Sequence, residues 1–260
     1  MESMATLASG QRVHYVDHGG DGPAVLLLHS YLMDVDMFAP QVAALGADYR
    51  LIAMDERGQG GTPVDGPFDY WDLARDAFGL LDHLGIERAA VVGTSQGGFV
   101  ALRMALLAPE RVSALAVLGT SAVAEDPLTA ASYLELCEAW ANGPSEVLLD
   151  ILASVTLGRA GSSEWRDKWR EIPVQRSRIV LDALVSRDAI LDRLGEIDRP
   201  ALVLHGTKDV AYSVTRAEEI VAALPGAAPL VLVDGGAHFL SLTNPDEVNG
   251  PLAAFLAEHA

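Results

Sequence analysis

The chain has 260 residues, 36 of them acidic and 18 basic, so its formal net charge at pH 7 is −18. Nucleic acids and anionic membranes repel such a charge, so neither is expected as a partner. We expect a small-molecule ligand instead. The single cysteine, Cys137, excludes an intrachain disulfide and, with an N-terminus that has no basic or long apolar run, predicts a cytoplasmic protein.

Strand-like and helix-like segments alternate through the first half of the chain. Polar and apolar residues alternate over 11–17, which predicts a strand of an edge hairpin with one wet face. Apolar residues at three- and four-residue spacing predict helices over 70–84 and 99–107. Continuous apolar runs predict four strands covered on both faces: 24–28, 51–54, 89–92 and 115–118.

The same alternation returns near the C-terminus. Apolar runs at 201–204 and 230–233 predict two further strands, with a helix over 215–224 between them. Strands that alternate with helices predict an α/β fold with a mostly parallel sheet covered on both faces.

The last predicted helix contains a proline. Asn244 followed by Pro245 predicts a helix cap and first turn, and the apolar pattern continues to Phe255. Because proline cannot donate a helical hydrogen bond, Pro251 predicts a break or restart near Gly250.

Residues 121–199 interrupt the alternation, because their apolar residues have helical spacing without a comparable strand-like run. We therefore expect a helical cap inserted into a core formed by 1–120 and 200–260. Four aromatic side chains of this region either line a substrate pocket or attach the cap to the sheet: Tyr133, Trp140, Trp165 and Trp169.

The segment Gly93-Thr94-Ser95-Gln96-Gly97-Gly98 stands between an apolar strand-like run and an apolar helix-like run. This is the context of a nucleophile elbow, in which a serine projects from a tight strand-to-helix turn. Glycine two residues before and two residues after the serine avoids a steric clash there. Ser95 is therefore a candidate nucleophile.

Five motifs, in chain order, resemble the α/β-hydrolase fold family over nearly the whole chain: His29-Ser30-Tyr31, Asp55-Glu56-Arg57-Gly58-Gln59-Gly60, Gly93-Thr94-Ser95-Gln96-Gly97-Gly98, His205-Gly206-Thr207-Lys208-Asp209 and Gly235-Gly236-Ala237-His238. The resemblance implies a triad of Ser95, Asp209 and His238, and the chain order agrees. It also implies that the backbone N–H groups of Tyr31 and Gln96 form an oxyanion hole.

The chain departs from the family pattern at two places. Ser30 stands where the family usually has glycine, and Ser213 stands where a proline usually follows the acid. Two other carboxylates compete with Asp209 for the role of acid. Asp234 lies four residues before His238, and Asp126 follows an earlier strand.

These residues predict a serine hydrolase that cleaves a neutral, mostly apolar carboxylic ester or lactone through an acyl-enzyme. The oxyanion-loop region resembles aryl esterases, and the region from the cap to the C-terminus resembles enol-lactonases. A perhydrolase, a carbon–carbon bond hydrolase, an acyltransferase and a non-catalytic ligand-binding relative stay open as alternatives. Leu32, where cofactor-free perhydrolases of the family tend to carry proline, favours hydrolysis and joins the predicted pocket.

No cofactor or metal is expected, since residues 58–61 lack the lysine and the spacing of a phosphate loop. One competing hypothesis concerns the acyl group. An arginine of the cap that turns inward would bind a carboxylate, as an enol-lactone of a dicarboxylic acid requires, and the candidates are Arg159, Arg176 and Arg178.

Overall fold

An eight-stranded sheet lies at the centre of the computed structural model, which describes residues 2–140, 143–158 and 163–260. In chain order the strands are β1 (Glu2–Thr6), β2 (Arg12–Asp17), β3 (Ala24–Leu28), β4 (Arg50–Met54), β5 (Ala89–Thr94), β6 (Val112–Leu118), β7 (Ala201–Gly206) and β8 (Val231–Val233). Their spatial order is β1-β2-β4-β3-β5-β6-β7-β8. β2 runs antiparallel to both neighbours, and the other adjacent pairs are parallel. The predicted fold class is confirmed.

The α-helices among the described residues are α1 (Ala39–Leu45), α2 (Tyr70–His83), α3 (Gln96–Leu107), α4 (Pro127–Ala139), α5 (Glu146–Leu157), α6 (Ser163–Arg170), α7 (Val174–Val185), α8 (Val214–Ala223), α9 (Leu240–Thr243) and α10 (Pro245–His259). α2, α3 and α8 share one apolar cluster with the sheet, and α1 and α10 share another. Every residue of β5, β6 and β7 is buried. Helices on both faces leave these strands no wet side, which explains their continuous apolar runs.

The chain between β6 and β7 forms α4 to α7 and a short 3-10 helix at Leu191–Glu196, with no strand in the described part of this stretch. α4 packs against α7, and α5 packs against α6. A buried ion pair between Arg187 and Glu125, at 2.7 Å, joins the two ends of this stretch. That residues 121–199 act as a cap stays a prediction.

The predicted break at Pro251 is wrong, because α10 continues through it. An interior proline removes one helical hydrogen bond and crowds the residue before it, at a cost of about 3 kcal/mol. Here that residue is Gly250, which has no Cβ to meet the ring. Val248, Leu252 and Leu256 are almost fully buried on the same helix, and each contributes roughly 1.5–3 kcal/mol, more in sum than proline costs.

The start of α10 also differs from the predicted cap. Pro245 lies in the first turn, as predicted, where its missing N–H is no loss. The Asn244 side chain makes no cap bond, and its Oδ1 accepts from Thr243 Oγ1 at 2.9 Å. The Val248 N–H donates to the Asn244 carbonyl at 3.1 Å, which is the first i→i−4 bond of the helix.

Pro251→Ala should stabilise the protein, since alanine restores the missing N–H donor and has the best helix propensity. The free energy of unfolding should rise by about 1–2 kcal/mol, less than the full cost of proline, because alanine also loosens the unfolded chain. Urea denaturation measures the change. Pro245→Ala is the matched control and should bring no gain, because the first turn needs no N–H. A Pro251→Ala protein no more stable than wild type would contradict this argument.

Candidate active site

Ser95 occupies a sharp turn between β5 and α3, and its backbone φ of 51° lies in the left-handed region that serine rarely adopts. Such a conformation costs on the order of 1–3 kcal/mol. Hydrogen bonds hold it on both sides. The Ser95 N–H donates to the Leu118 carbonyl at 2.8 Å, and the Ser95 carbonyl accepts from Thr120 Oγ1 at 2.7 Å.

Two glycines allow this turn to close. A Cβ on Gly93 would lie 2.2 Å from the carbonyl oxygen of Gly97, and a Cβ on Gly97 would lie 2.0 Å from that of Leu28. Both distances are far inside van der Waals contact, and the atoms they meet are backbone atoms that cannot move aside. The glycine positions of the motif are therefore required by close packing of β3, β5 and α3.

The three residues of the predicted triad, Ser95, His238 and Asp209, form one hydrogen-bonded series. His238 Nε2 lies 2.9 Å from Ser95 Oγ, and His238 Nδ1 lies 2.8 Å from Asp209 Oδ2. The second carboxylate oxygen of Asp209 accepts from the backbone N–H groups of Ala211 and Tyr212 at 2.8 and 3.0 Å. When Nδ1–H donates to the carboxylate, Nε2 is free to accept the serine proton.

The surroundings of Asp209 keep it ionised. Burial alone would raise the pKa of this carboxyl, but the neighbouring His238, the Tyr212 N–H and His205 together hold it below its ordinary value. The Tyr212 ring also lies edge-on against the His238 ring, with centroids 5.6 Å apart. A fixed negative charge thus stands where a protonated imidazole needs it.

The two competing carboxylates lie elsewhere. Asp234 is exposed, and its Oδ1 accepts from Thr207 Oγ1 at 3.1 Å. Asp126 is exposed at the start of α4, where its side chain accepts from the N–H groups of Leu128 and Thr129. Neither contacts His238, so the structure brings Asp209 alone of the three to the imidazole.

Two backbone N–H groups near Ser95 are unused. Those of Tyr31 and Gln96 donate to no other residue in the part of the chain that the structure describes. Gln96 begins α3, where the first-turn N–H groups have no helical partner. Tyr31 precedes Leu32, whose φ is 63° and whose N–H donates to Gln59 Oε1 at 2.6 Å. Both groups are available to an oxyanion.

Beneath Gln96 lies a buried carboxyl that the sequence analysis did not identify as part of the site. Gln96 Nε2 donates to Glu56 Oε2, and Gln96 Oε1 accepts from the Tyr70 hydroxyl at 3.0 Å. Glu56 is fully buried, and this burial raises the pKa of its carboxyl to about 7, against opposing effects of His29 and Gln96. The signal in the sequence was an acidic residue at the carboxyl end of a buried strand, β4.

The space beside Ser95, which we call the inner cavity, is mostly apolar and measures about 130 Å³. Four of the predicted pocket residues line it, namely Leu32, Tyr133, Trp140 and Trp169. The prediction for Trp165 is wrong: its ring is buried against the Lys168 ammonium, 4.5 Å from the ring centroid, and does not line the cavity. Trp165 lies one helical turn before Trp169 on α6, about 6 Å from it along the helix axis.

One hydrogen bond between side chains that line the inner cavity joins the loop after β3 to α7. The Tyr31 hydroxyl lies 3.0 Å from Ser177 Oγ. Cys137 lines the same cavity, and burial raises the pKa of its thiol, although a hydrogen bond from Ser177 opposes this. The thiol is therefore a packing group rather than a thiolate.

Of the three candidate arginines, Arg176 and Arg178 do not reach the inner cavity. Arg176 Nε donates to the Gly58 carbonyl at 2.6 Å, within an adjoining pocket of about 310 Å³. Arg178 pairs with Asp182 at 2.8 Å on the surface, and Arg159 lies outside the described residues. Among the residues that the structure describes, no Lys, Arg, Asp or Glu side chain lines the inner cavity.

Within residues 2–140, 143–158 and 163–260, no three His, Cys, Asp or Glu side chains are placed to hold a metal ion. No helix in these ranges has the length and apolar character to cross a bilayer. The expected absence of a cofactor and the cytoplasmic location stay predictions.

Glu56→Gln should remove a pH dependence of stability, because it keeps an acceptor for Gln96 and cannot ionise. The pKa of Glu56 is raised from 4.5 to about 7 on folding. The protonated carboxyl therefore contributes fully to the free energy of unfolding of wild type below pH 4.5. This contribution is lost as the pH rises through about 7. Relative to wild type, the variant should gain up to about 3 kcal/mol over this range.

Thermal unfolding of both proteins at intervals across this pH range measures the difference. Glu218→Gln is the control, since Glu218 is exposed on α8. If wild type and Glu56→Gln lose stability in parallel as the pH rises, Glu56 is not the group that titrates.

Comparison with known proteins agrees with this architecture. A model of the alpha/beta hydrolase fold family matches residues 23–245. The enol-lactonase of Burkholderia xenovorans superposes with a TM-score of 0.88 and is 26% identical over 98% of this chain and 100% of its own. Carboxylesterase YbfK of Bacillus subtilis is 27% identical over 94% of this chain and 84% of its own length. Epoxide hydrolase A of Mycobacterium tuberculosis is 27% identical over 95% of each. The chain belongs to the α/β-hydrolase fold family.

Proposed function

We propose that the protein is a serine hydrolase that cleaves neutral, mostly apolar carboxylic esters or lactones through an acyl-enzyme. The observation that carries the proposal is the hydrogen-bonded series of Ser95, His238 and Asp209 beside an apolar inner cavity. A serine hydroxyl is a poor nucleophile until an imidazole takes its proton, and the imidazole needs a carboxylate to fix its tautomer and stabilise its charge. His238 contacts both Ser95 and Asp209, so the three side chains are placed for these roles.

In the first half of the reaction, Ser95 Oγ attacks the carbonyl carbon of the ester and its proton passes to His238 Nε2. The negative charge that develops on the carbonyl oxygen is stabilised by the N–H groups of Gln96 and Tyr31, worth roughly 3–4 kcal/mol each in comparable sites. The C–O bond to the alcohol then breaks, and His238 returns the proton to the leaving oxygen. An ester on Ser95 remains.

The second half repeats these roles with water. His238 Nε2 takes a proton from a water molecule, whose oxygen attacks the acyl carbon of the ester on Ser95. When the bond to Ser95 Oγ breaks, His238 returns the proton to it, and a carboxylic acid leaves. With a lactone the alcohol and the acid belong to one molecule, so the product is a hydroxy acid.

The lining of the inner cavity supports a neutral, mostly apolar substrate. Six aliphatic side chains of α5 and α7 contribute to it: Leu148, Ile151, Leu152, Val155, Leu181 and Leu184. Each methylene buried there contributes about 0.8 kcal/mol, so added carbons favour binding until the cavity is full. A carboxylate would lose its hydration without a charged partner among the described lining residues.

The names of the relatives support ester chemistry unequally. An enol-lactonase and a carboxylesterase act on the bonds that we propose for this chain. The epoxide hydrolase relative points to another reaction. Family members that open epoxides carry a carboxylate nucleophile where this chain has Ser95, so this position favours esters and lactones over epoxides.

An organophosphonate ester should label Ser95, and Ser95→Ala should lower ester hydrolysis by roughly 10⁴-fold or more, because no other group can form the acyl-enzyme. Mass spectrometry of the labelled peptide and turnover of a panel of para-nitrophenyl esters measure the two effects. Ser30→Ala is the matched control: Ser30 lines the same cavity without contacting His238 and should retain most activity. Hydrolysis that survives without label on Ser95 would refute the proposal.

Asp209→Asn should slow turnover by up to roughly 10⁴-fold, because an amide at this position favours the wrong imidazole tautomer. The binding cavity does not include this residue, so the loss should lie in kcat more than in KM. Asp234→Asn is the control and should leave turnover near wild type. Steady-state kinetics of the two variants decide the assignment, and the reverse pattern would transfer the acid role to Asp234.

A further inference from the structure

Trp140, in the inner cavity, has a buried donor without a partner. The residue is 3% exposed, and its indole Nε1 finds no acceptor in the described part of the chain. Two other tryptophans are satisfied: Trp169 Nε1 donates to the Leu32 carbonyl at 2.9 Å, and Trp71 Nε1 donates to Asp188 at 3.1 Å. A buried N–H that stays unpaired is destabilising, so Trp140 favours a ligand that brings an acceptor.

Three of the hydroxyls that line the cavity already have partners inside the protein. The hydroxyls of Tyr31 and Ser177 bond to each other, and Thr156 Oγ1 donates to the Leu152 carbonyl at 2.8 Å. These groups therefore do not turn towards Trp140 without losing a bond of their own. A molecule bound in the inner cavity is the natural source of an acceptor.

The charge of the lining limits what this acceptor can be. No Lys, Arg, Asp or Glu among the described residues lines the cavity, and Trp140 belongs to an apolar cluster that also contains Leu148 and Leu149. A neutral oxygen can enter such a place when it gains one hydrogen bond, whereas a carboxylate would still lack compensation for its lost hydration.

We propose that Trp140 is a specificity-determining residue whose Nε1–H donates to a neutral oxygen of the substrate, separate from the ester group that is cleaved. The inference rests on the proposed function and narrows it to esters or lactones that carry a second, neutral acceptor such as an ether, ketone, amide or hydroxyl oxygen. Ser95 and Trp140 both line the inner cavity, and we assign the acceptor to the acyl part of the substrate, which stays bound to Ser95 in the acyl-enzyme.

The test uses para-nitrophenyl heptanoate and a series in which one ether oxygen replaces successive methylenes of the acyl chain. For each ether ester, kcat/KM is divided by kcat/KM for the heptanoate. For at least one oxygen position this ratio should be about tenfold to a hundredfold larger in wild type than in Trp140→Phe. Phenylalanine keeps an aromatic ring and removes only the donor. Trp165→Phe is the matched control, because Trp165 is equally buried and does not line the cavity.

Three outcomes overturn the proposal. Wild type and Trp140→Phe could respond alike to every oxygen position, or Trp165→Phe could lose the preference as fully as Trp140→Phe. A para-nitrophenyl glutarate monoester, which is anionic, could also exceed every ether in kcat/KM, and then the acceptor would be a carboxylate.

A second measurement does not depend on hydrolysis or on the folding of Trp140→Phe. In Ser95→Ala protein with nitrogen-labelled tryptophan, the four indole N–H signals are assigned by single replacement of the other three residues. Binding of at least one ether ester of the series should move the Trp140 signal downfield, and the heptanoate ester should not. Equal shifts with the heptanoate and with every ether ester would refute the hydrogen bond. If the shift occurs but wild type hydrolyses no ester, the proposed function fails while the binding role of Trp140 stands.

Discussion

The backbone of Ser95 is the constraint to which the surrounding fold conforms. A serine at φ 51° costs on the order of 1–3 kcal/mol, a large part of the 5–15 kcal/mol that a folded domain typically has. The sheet order places β5 between β3 and β6, so the ends of three parallel strands surround the turn. Leu118 of β6 accepts the Ser95 N–H, and the end of β3 packs against Gly97. The strain is thus carried by the most buried strands of the molecule.

Each buried carboxyl near this turn is accommodated in a different way, although the chain as a whole is strongly acidic. Asp209 stays ionised because His238 and backbone N–H groups lower its pKa. Glu125 is paired with Arg187, which also lies over the Phe99 ring at 4.3 Å. Glu56 forms no ion pair among the described residues, and burial raises its pKa to about 7, although His29 opposes this rise. The charge of Asp209 beside His238 is therefore fixed, and that of Glu56 beside Gln96 is reduced.

The sequence predicted the parts of the structure that depend on local patterns. The triad side chains meet because each follows a strand whose apolar run is easy to recognise, and parallel strands bring their ends to one edge. The pairing of Glu56 with Gln96 was not foreseen, since it depends on the register of β4 against β3 and β5. Trp165 and Trp169 are four residues apart, so the sequence places both on one face of a helix. Only the packing of α6 decides which of them reaches the cavity. The helix through Pro251 likewise depends on tertiary burial.

The loop that carries the proposed oxyanion donor Tyr31 is held from several sides. The Tyr31 hydroxyl contacts Ser177 of α7, the Leu32 carbonyl accepts from Trp169 of α6, and Asp34 pairs with Lys168 of α6 at 2.8 Å. These contacts tie the loop to the same helices that enclose the inner cavity. A movement of α6 or α7 that admits a larger acyl group must therefore also shift Tyr31. If Tyr31 donates to the oxyanion as proposed, these bonds couple substrate size to stabilisation of the oxyanion, and a substrate that forces the helices apart would lose rate as well as affinity.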